Sequence, residues 1–327
     1  MQFEPYISCN NIFFMYKKGF NMSIVSNIIE CFKTETFTLT DAYKVNPNVN
    51  KESVRARVYE HLGVEFDKLG KGLYITKDAQ CVLIEGDGRD LSMLQNSSID
   101  CIITDHPWED KRANKGGARN FATYECFTYT IDDFKEKARV LKDGSFLVEM
   151  IPNENETNFD YLYNMKKMAQ EAGFQYYCKV PWQKGTFKGN TGRCVKDRED
   201  IMIFSKGKAR SLKPDKQRGV DTNGNPTRLM SGTTAMLPAE FSVQAVPRKE
   251  QIAQSEKPSE LFEQLLQYIT LENEVILDQF AGSGSVGVAC LATNRKCILI
   301  EKAVDKVQNI AKRIGAEQIV RVAPEYC

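Results

Sequence analysis

Two glycines and an acidic residue near the end of the chain have the spacing of a site for a ribose-containing cofactor. An apolar run, Val275 to Leu277, predicts a buried strand. A turn with Gly282 and Gly284 follows, and glycines at such a turn let backbone N–H groups approach a ligand where a Cβ would clash. A helix and a second strand, Cys297 to Ile300, come next. Glu301 ends that strand, where an acid is placed to hold ribose hydroxyls.

A second cluster of polar and aromatic residues follows two other predicted strands. The apolar run Ile99 to Thr104 leads directly into Asp105-His106-Pro107-Trp108, and Gly86-Asp87 follows an earlier strand. By itself the glycine-rich turn fits any Rossmann-like cofactor site, those of NAD enzymes included. Its spacing, however, departs from G-x-G-x-x-G.

These segments together resemble one enzyme family. Residues 278–284 (DQFAGSG) are similar to the D-x-F-x-G-x-G element with which methyltransferases bind S-adenosylmethionine. Residues 105–108 resemble the Asp-Pro-Pro-Tyr motif of DNA amino-methyltransferases, and the order of the two motifs is that of the beta class. PWQK (181–184), EDIMIFSKGK (199–208) and EKPSELFEQLLQYIT (256–270) match further family segments in the expected order. The resemblance covers roughly residues 80–305.

The resemblance implies a catalytic role for the motif at residues 105–108. The lone pair of an exocyclic amino group is delocalised into the base, so the enzyme must hold that nitrogen near the methyl sulfonium. Two acceptors on its N–H bonds would do so: the side chain of Asp105 and the main-chain carbonyl of His106. The target base would be flipped out of the duplex, with Trp108 stacked on it and Pro107 completing the motif.

The resemblance also implies a cofactor pocket for S-adenosylmethionine. Asp87 would contact the adenine end, the glycine-rich turn would line the methionine and sugar, and Glu301 would hold the ribose. Lys257 to Glu260 would frame the pocket. The expected cofactor-binding residues are Asp87, Lys257, Ser259, Glu260, Asp278, Phe280, Ala281, Gly282, Ser283, Gly284 and Glu301.

His106 departs from the family pattern, in which Pro is usual at this position. His106 has the same main-chain carbonyl as Pro would have at this position. Pro, however, fixes the backbone φ angle, and His does not. One interpretation is a tolerated variant whose imidazole is satisfied by a neighbour. Two others are an altered target pocket and a decayed enzyme. The intact Asp105, Pro107, Trp108 and Glu301 argue against decay.

Residues 21–77 predict a small DNA-binding module. An apolar stripe from Ile24 to Phe32 predicts a first helix, and Thr38 or Thr40 can cap a short second one. Asn50 can cap a third helix, with Gly63 at its C′ position, before a hairpin at residues 64–76. This pattern resembles a winged helix-turn-helix, whose third helix enters the major groove. A helical cap or a protein-docking module is the alternative.

Basic residues in this module and in two loops are the expected DNA contacts. Residues 111–119 contain no acid, and residues 206–228 carry seven Lys or Arg against two Asp. Such loops suit phosphate contacts, although they could be no more than solvated loops. Trp182 could equally be a core aromatic, and Lys184 a surface lysine. The expected DNA-binding residues are Lys51, Arg55, Arg57, Lys71, Lys111, Arg112, Lys115, Arg119, Lys184 and Arg193.

Composition excludes several other classes of protein. The 327 residues contain no apolar run long enough for a membrane span and no secretory signal, which predicts a cytoplasmic protein without membrane partners. Ten cysteines without metal-ligand spacing predict reduced, buried thiols, and two histidines argue against a His-based metal site. The net charge of +1 does not exclude DNA, because 44 basic and 43 acidic residues can be segregated.

The predicted fold is α/β: a doubly wound, Rossmann-like methyltransferase sheet with a small N-terminal α+β winged-helix domain. Residues 1–20 are unassigned, 21–77 form the winged helix, and 78–327 form the methyltransferase domain with a short target-recognition insertion near 206–247. The predicted reaction is methyl transfer to adenine N6 of double-stranded DNA, as in restriction–modification. The alternatives are a cytosine-N4 enzyme, an RNA amino-methyltransferase, and a non-catalytic DNA-binding regulator. Relatives are often dimers, so by analogy a homodimer is an expectation.

Overall fold

The N-terminal part folds as three helices and a small antiparallel sheet. The computed structural model describes residues 23–32, 36–70, 72–76, 80–107, 126–186, 195, 197–213, 222–225, 236–253, 255–315 and 319–321. In chain order, this first unit contains α1 (Ile24–Phe32), β1 (Thr36–Thr38), α2 (Leu39–Lys44), α3 (Lys51–Glu60), β2 (Phe66–Gly70) and β3 (Leu73–Thr76). Its sheet has the order β1-β3-β2, with both pairs antiparallel. Ile28, Phe32, Phe37, Val54 and Val58 pack in its core.

Capping residues determine where the helices of this unit begin and end. Thr38 and Asp41 form a capping box at α2, and the Asn50 side chain accepts from the N–H of Glu52 at α3. The predicted end of α3 is wrong: the helix stops at Glu60, and His61 is its C-cap. Gly63, with φ of 80°, donates instead to the carbonyl of Phe66 and belongs to the turn that enters β2. The strand β1 was not predicted.

A nine-stranded sheet forms the centre of the rest of the chain. Its order is β12-β4-β11-β10-β5-β6-β8-β7-β9. The first six of these strands run parallel, β8 is antiparallel to β6 and β7, and β9 is parallel to β7. The strands are β4 (Cys81–Glu85), β5 (Ile99–Thr104), β6 (Leu141–Ile151), β7 (Phe174–Gln183), β8 (Arg198–Lys206), β9 (Phe241–Ser242), β10 (Val275–Asp278), β11 (Lys296–Glu301) and β12 (Ile319–Arg321).

Helices cover both faces of this sheet, which explains why its central strands are apolar throughout. On one face lie α4 (Ile131–Val140) and α5 (Phe159–Glu171), which bury Phe134, Leu162 and Met165. On the other lie α6 (Ser259–Ile269), α7 (Ser285–Ala292) and α8 (Val304–Ile314), which bury residues such as Leu265 and Ile310. The predicted doubly wound α/β sheet is therefore confirmed.

The order of the strands reverses between β10 and β5. From β10 the chain passes through α7 to β11 on one side, whereas from β5 it passes through α4 to β6 on the other. In open α/β sheets, such a switch point leaves a crevice outside the carboxyl ends of the two strands, where ligands bind. Both predicted functional motifs follow these two strands.

The thiols of the described residues agree with the predicted reduced state. The seven cysteines in this part of the chain are free, and Cys101, Cys290 and Cys297 are buried, as predicted. Within the same part, no helix has both the length and the apolar character needed to cross a membrane.

One substitution at each of the two threonines tests which of them caps α2. Thr38→Ala removes the capping box and should destabilise the helix by about 1 kcal/mol, whereas Thr40→Ala removes an exposed side chain inside the helix. Hydrogen–deuterium exchange of residues 39–44 measures the difference. Faster exchange in Thr40→Ala than in Thr38→Ala would contradict the assignment.

Candidate active site

Two acidic residues lie near each other at the point where the strand order of the sheet reverses. Asp278 ends β10 and Asp105 follows β5, and the two strands pair through Ile276 with Cys101 and Leu277 with Ile102. The carboxyl ends of parallel neighbours lie at the same edge of a sheet. The structure therefore brings together the two motifs that lie far apart in the sequence.

The ammonium of Lys257 joins Asp105 to a second carboxylate. Lys257 Nζ donates to Asp105 Oδ2 and lies 3.4 Å from Glu199 Oε2. The Lys257 side chain is only 10% exposed, whereas 33% of the Asp105 side chain remains open to a ligand. The sequence predicted Lys257 as part of the cofactor pocket, and that contact stays a prediction. Its pairing with Asp105 was not foreseen.

Burial and charge determine which of these groups are ionised. Burial raises the pKa of Asp105, and the Lys257 ammonium partly offsets this effect. Burial alone would lower the pKa of Lys257, but Asp105 and Glu199 together raise it above its usual value. Lys257 is therefore a permanent cation that orients Asp105 and favours its charged, hydrogen-bond-accepting form.

Glu199 is itself held by a second lysine. Lys184 Nζ donates to Glu199 Oε1 over 2.5 Å and lies 5.3 Å from the centre of the Trp182 ring. Although burial opposes it, Lys257 and Lys184 keep the pKa of Glu199 below its usual value. The Trp182 ring is buried, and its Nε1 donates to the carbonyl of Val243 over 2.9 Å. Trp182 is thus a core aromatic, and the predicted DNA contact of Lys184 stays a prediction.

The glycine-rich turn after β10 is shaped by Glu301. The N–H of Gly282 donates to Glu301 Oε2 over 2.9 Å, and the N–H of Ala303 donates to Oε1 over the same distance. Gly284 has φ of 77°, and a Cβ there would lie 2.9 Å from Ile310 Cγ2. Gly282 has φ of 55°, and a Cβ there would have only Phe280 O within 4 Å. The turn therefore leaves open space beside Gly282.

Asp278 and the serines support this turn from within. Asp278 is buried and accepts from the N–H of Phe280 over 3.2 Å, and burial raises its pKa to about 8. Ser283 Oγ lies 3.0 Å from Ser285 Oγ. Arg313 on α8 donates to the carbonyl of Ser283. Direct cofactor contacts from Ala281 and these side chains stay predictions.

Two supports of the turn were missed by the sequence analysis. Arg313 Nη1 also donates to Glu256 Oε1 over 2.6 Å, and Glu256 Oε2 accepts from the N–H of Ile252. This ion pair joins the end of α8 to the segment before α6, which carries Lys257 and leads into the half-buried Ser259 and the exposed Glu260 at the start of that helix. Because Arg313 and Glu256 are 57 residues apart, no local pattern indicates their pairing.

The loop after β4 closes the other side of the crevice. Asp87 is 49% exposed and accepts from the N–H of Arg89. A Cβ on Gly88 would lie 1.8 Å from Gln279 O, and Gln279 Nε2 donates to Gly88 O over 2.7 Å. Only glycine fits at position 88, because the two loops touch there. Gly88 and Gln279 were not predicted, although Gly-Asp-Gly at a strand end was the available signal.

Aromatic rings connect this loop with the residues after β5. The ring of Phe127 lies 5.3 Å from that of Phe280 and 5.7 Å from that of His106, measured between centroids. The Arg89 guanidinium lies 4.8 Å above Phe127 and forms a bidentate ion pair with Asp133. Phe127 therefore connects Phe280 of the glycine-rich turn with the residue after Asp105, and this aromatic contact was not predicted from the sequence.

The imidazole of His106 points away from the crevice into the core. The residue is 1% exposed, and its Nε2 lies 2.8 Å from Tyr161 Oη. Tyr161 therefore satisfies one ring nitrogen of His106, as the first of the three interpretations expects, and the effect of His106 on the target pocket stays a prediction.

Several predicted residues fall outside the described part of the chain. They are Lys71, Trp108, Lys111, Arg112, Lys115, Arg119 and Arg193. Of the four remaining basic candidates, Lys184 follows β7 and pairs with Glu199, whereas Lys51, Arg55 and Arg57 lie on α3 and are all exposed. Arg57 forms an ion pair of 2.5 Å with Glu60, so Lys51 and Arg55 are the more available of the three.

Comparison with known proteins places the crevice in context. Residues 99–313 match the family model described as DNA methylase of the N6/N4 type. Type II methyltransferase M.HpaI of Haemophilus parainfluenzae is 26% identical over 232 residues, which cover 69% of this chain and 71% of that protein. Type II methyltransferase M2.DpnII of Streptococcus pneumoniae is 21% identical over 264 residues, 75% of this chain and 92% of that protein.

Solved structures have a similar fold. The PvuII DNA methyltransferase, described as cytosine-N4-specific, aligns with a TM-score of 0.54 at 16% identity, covering 76% of this chain and 89% of that one. The M1.HpyAVI–SAM complex aligns with a TM-score of 0.50 at 19% identity, covering 72% of this chain and 98% of that one. At these identities the likeness concerns the fold.

The charge balance around Asp105 is open to direct titration. Because Lys257 lowers the pKa of Asp105, Lys257→Met should raise that pKa further above its usual value, so the carboxyl gains its proton at higher pH. Carbon-13 NMR of the side-chain carboxyl, assigned with Asp105→Asn, measures the shift. Lys135→Met, at a 58% exposed lysine on α4, is the matched control. An unchanged or lowered pKa in Lys257→Met would contradict the role of Lys257.

Proposed function

The chain belongs to the N6/N4 DNA methylase family, and we propose that it transfers a methyl group from S-adenosylmethionine to adenine N6 in double-stranded DNA. The observation that carries the proposal is the position of Asp105. A half-open carboxylate, paired with the buried Lys257, lies at the same crevice as the glycine-rich turn. The cofactor and the target base would meet between them.

The turn and its surroundings fit S-adenosylmethionine. Open space lies beside Gly282, and the exposed Asp87 stands at the other edge of the crevice. Glu301 uses each carboxylate oxygen once in the structure, and a carboxylate has lone pairs left for ribose hydroxyls. When bound, the cofactor supplies an activated methyl group, and the residues around it supply position.

Asp105 and His106 would act on the target nitrogen. The carboxylate of Asp105 accepts one N–H of the amino group and the main-chain carbonyl of His106 accepts the other. Together they hold the nitrogen so that its lone pair points to the methyl group. Lys257 keeps Asp105 oriented, and Asp105 takes up the released proton directly or late in the reaction. The base must be flipped out of the duplex to reach them, and Trp108 would stack on it.

The N-terminal unit is proposed as a winged helix that binds DNA. Its three helices, followed by the hairpin β2–β3 and closed by β1, have the element order of that module. Lys51 and Arg55 are exposed on α3, which would enter the major groove. Sequence recognition would then be shared between α3 and the region near 206–247.

Cytosine N4 is the second candidate target. The fold neighbour with the TM-score of 0.54 is described as cytosine-N4-specific, and both targets are exocyclic amino groups that need the same two acceptors. The choice depends on how the pocket contacts the rest of the base.

Methyl transfer from labelled S-adenosylmethionine to unmethylated genomic DNA tests the reaction. After digestion of the DNA, mass spectrometry should detect N6-methyldeoxyadenosine. Detection of N4-methyldeoxycytidine would mean that the target base is cytosine and not adenine. Asp105→Ala should lower kcat at least about a hundredfold with the Kd for S-adenosylmethionine unchanged, because it removes a transition-state contact only. Asp143→Ala, at an 89% exposed side chain, is the matched control.

Other outcomes of that assay would overturn the proposal. Transfer to RNA and not to DNA would establish an RNA amino-methyltransferase. Cofactor binding without transfer to either nucleic acid, and without an effect of Asp105→Ala, would favour a regulator that keeps the cofactor fold.

The double substitution Lys51→Ala/Arg55→Ala tests the N-terminal unit. Each lost phosphate contact should reduce the slope of log K against log salt by about 1, and affinity should fall on specific and non-specific DNA alike. Lys135→Ala, at a 58% exposed lysine on α4, should leave binding unchanged. Unaltered affinity and slope in the double variant would instead favour a cap or a protein-docking module.

A further inference from the structure

The backbone at position 106 needs a constraint that histidine alone does not supply. Under the proposed function, the carbonyl of this residue accepts an N–H of the target amino group, so its direction matters. Pro, the usual residue of the family, fixes φ through its ring, and His does not. A different source of rigidity is therefore required at the end of β5.

The imidazole of His106 is clamped by three separate elements. Its Nε2 lies 2.8 Å from Tyr161 Oη on α5, and its Nδ1 lies 3.8 Å from Glu149 Oε2 on β6. Its ring lies on that of Tyr129, in the segment before α4, with 4.1 Å between centroids and 37° between planes. The ring is thus held by one hydrogen bond and one stacked ring, with the Glu149 carboxylate facing its other nitrogen, which leaves its Cα little freedom.

The hydrogen bonds around Tyr161 indicate one tautomer of His106. The N–H of Tyr129 donates to Tyr161 Oη over 3.1 Å, so the phenol proton can be donated to His106 Nε2. The ring hydrogen is then on Nδ1 and faces Glu149. Burial lowers the pKa of His106, although Glu149 opposes this, which favours the neutral ring.

Glu149 is fixed in turn by a fully buried lysine. Lys137 Nζ on α4 donates to Glu149 Oε1, and neither side chain is exposed. Lys137 Nζ lies 3.7 Å from the centre of the Tyr129 ring, and Tyr129 OH donates to Glu149 Oε2 over 3.3 Å. A buried ion pair often adds nothing to the stability of a fold, because apolar residues of similar volume in its place frequently give an equally stable protein. The Lys137–Glu149 pair lies behind His106, which indicates that it positions the imidazole.

We propose that Tyr161, Glu149 and Lys137 are positioning residues that act through the His106 ring and hold the carbonyl of residue 106 at the target amino group. They take the place of the proline ring in the family pattern. The expected effect on catalysis rests on the proposed function, whereas the expected effect on the orientation of residue 106 rests on the contacts described above.

Tyr161→Phe is the mildest test, because it keeps the ring and removes one hydroxyl. We expect kcat to fall about tenfold, since a small misplacement of a reacting group costs up to about a hundredfold, while the Kd for S-adenosylmethionine stays unchanged. Tyr163→Phe on the same helix, at a 58% exposed residue, should behave like the wild type. Wild-type kcat in Tyr161→Phe would overturn the proposal.

A double-mutant cycle with His106→Pro separates positioning from general structure. Proline restores the backbone constraint, so Tyr161→Phe should have no further effect on kcat in the His106→Pro background. An equal loss of kcat in both backgrounds would mean that Tyr161 acts independently of His106, and would also overturn the proposal.

NMR of nitrogen-15-labelled histidine gives a readout that needs no activity. The chain has two histidines, and His61→Gln identifies the signals of His106. A single neutral tautomer with the hydrogen on Nδ1, changed by Tyr161→Phe, is the expected result, and an averaged mixture of tautomers would overturn the clamp. If the wild-type protein transfers no methyl group, the proposed function fails, and this measurement still decides whether the ring is held.

Discussion

The placement of one ammonium group between two carboxylates organises the site. Lys257 precedes α6, Asp105 follows β5 and Glu199 is the second residue of β8, so the ion pairs join three segments that are distant in the sequence. Burial without these partners would lower the pKa of Lys257, and without the lysine the pKa of Asp105 would rise further. The charges therefore stabilise one another in the form that an amino-group acceptor needs.

The sheet determines where this network can form. A parallel sheet that reverses its strand order leaves a crevice at one point, between β10 and β5. On one side of the crevice, Glu301 and Arg313 shape the glycine-rich turn, and on the other, Gly88 allows its loop to touch Gln279. The two loops that border Asp105 therefore both take their positions from packing.

His106 illustrates how a departure from a family motif can be accommodated. Under the proposal above, the substitution exchanges a covalent ring constraint for a hydrogen bond from Tyr161 on α5, packing on Tyr129 and the nearby carboxylate of Glu149 on β6. Its imidazole is buried in the core, whereas the neighbouring Asp105 keeps a third of its side chain exposed. The intact Asp105 and the ordered surroundings of His106 agree with an active enzyme.

The sequence by itself determined the hairpin β2–β3, the strands β4, β5, β10 and β11, the glycine-rich turn, the cap of α3 and the presence of both functional motifs, because these depend on local periodicity and on residue type. It could not predict that Lys257 pairs with Asp105 across 152 positions, that Arg313 supports the turn, or that Trp182 is core. It also misplaced the end of α3. Those features arise only when the sheet has formed and the helices pack on it, because packing and burial decide which distant charges and rings come into contact.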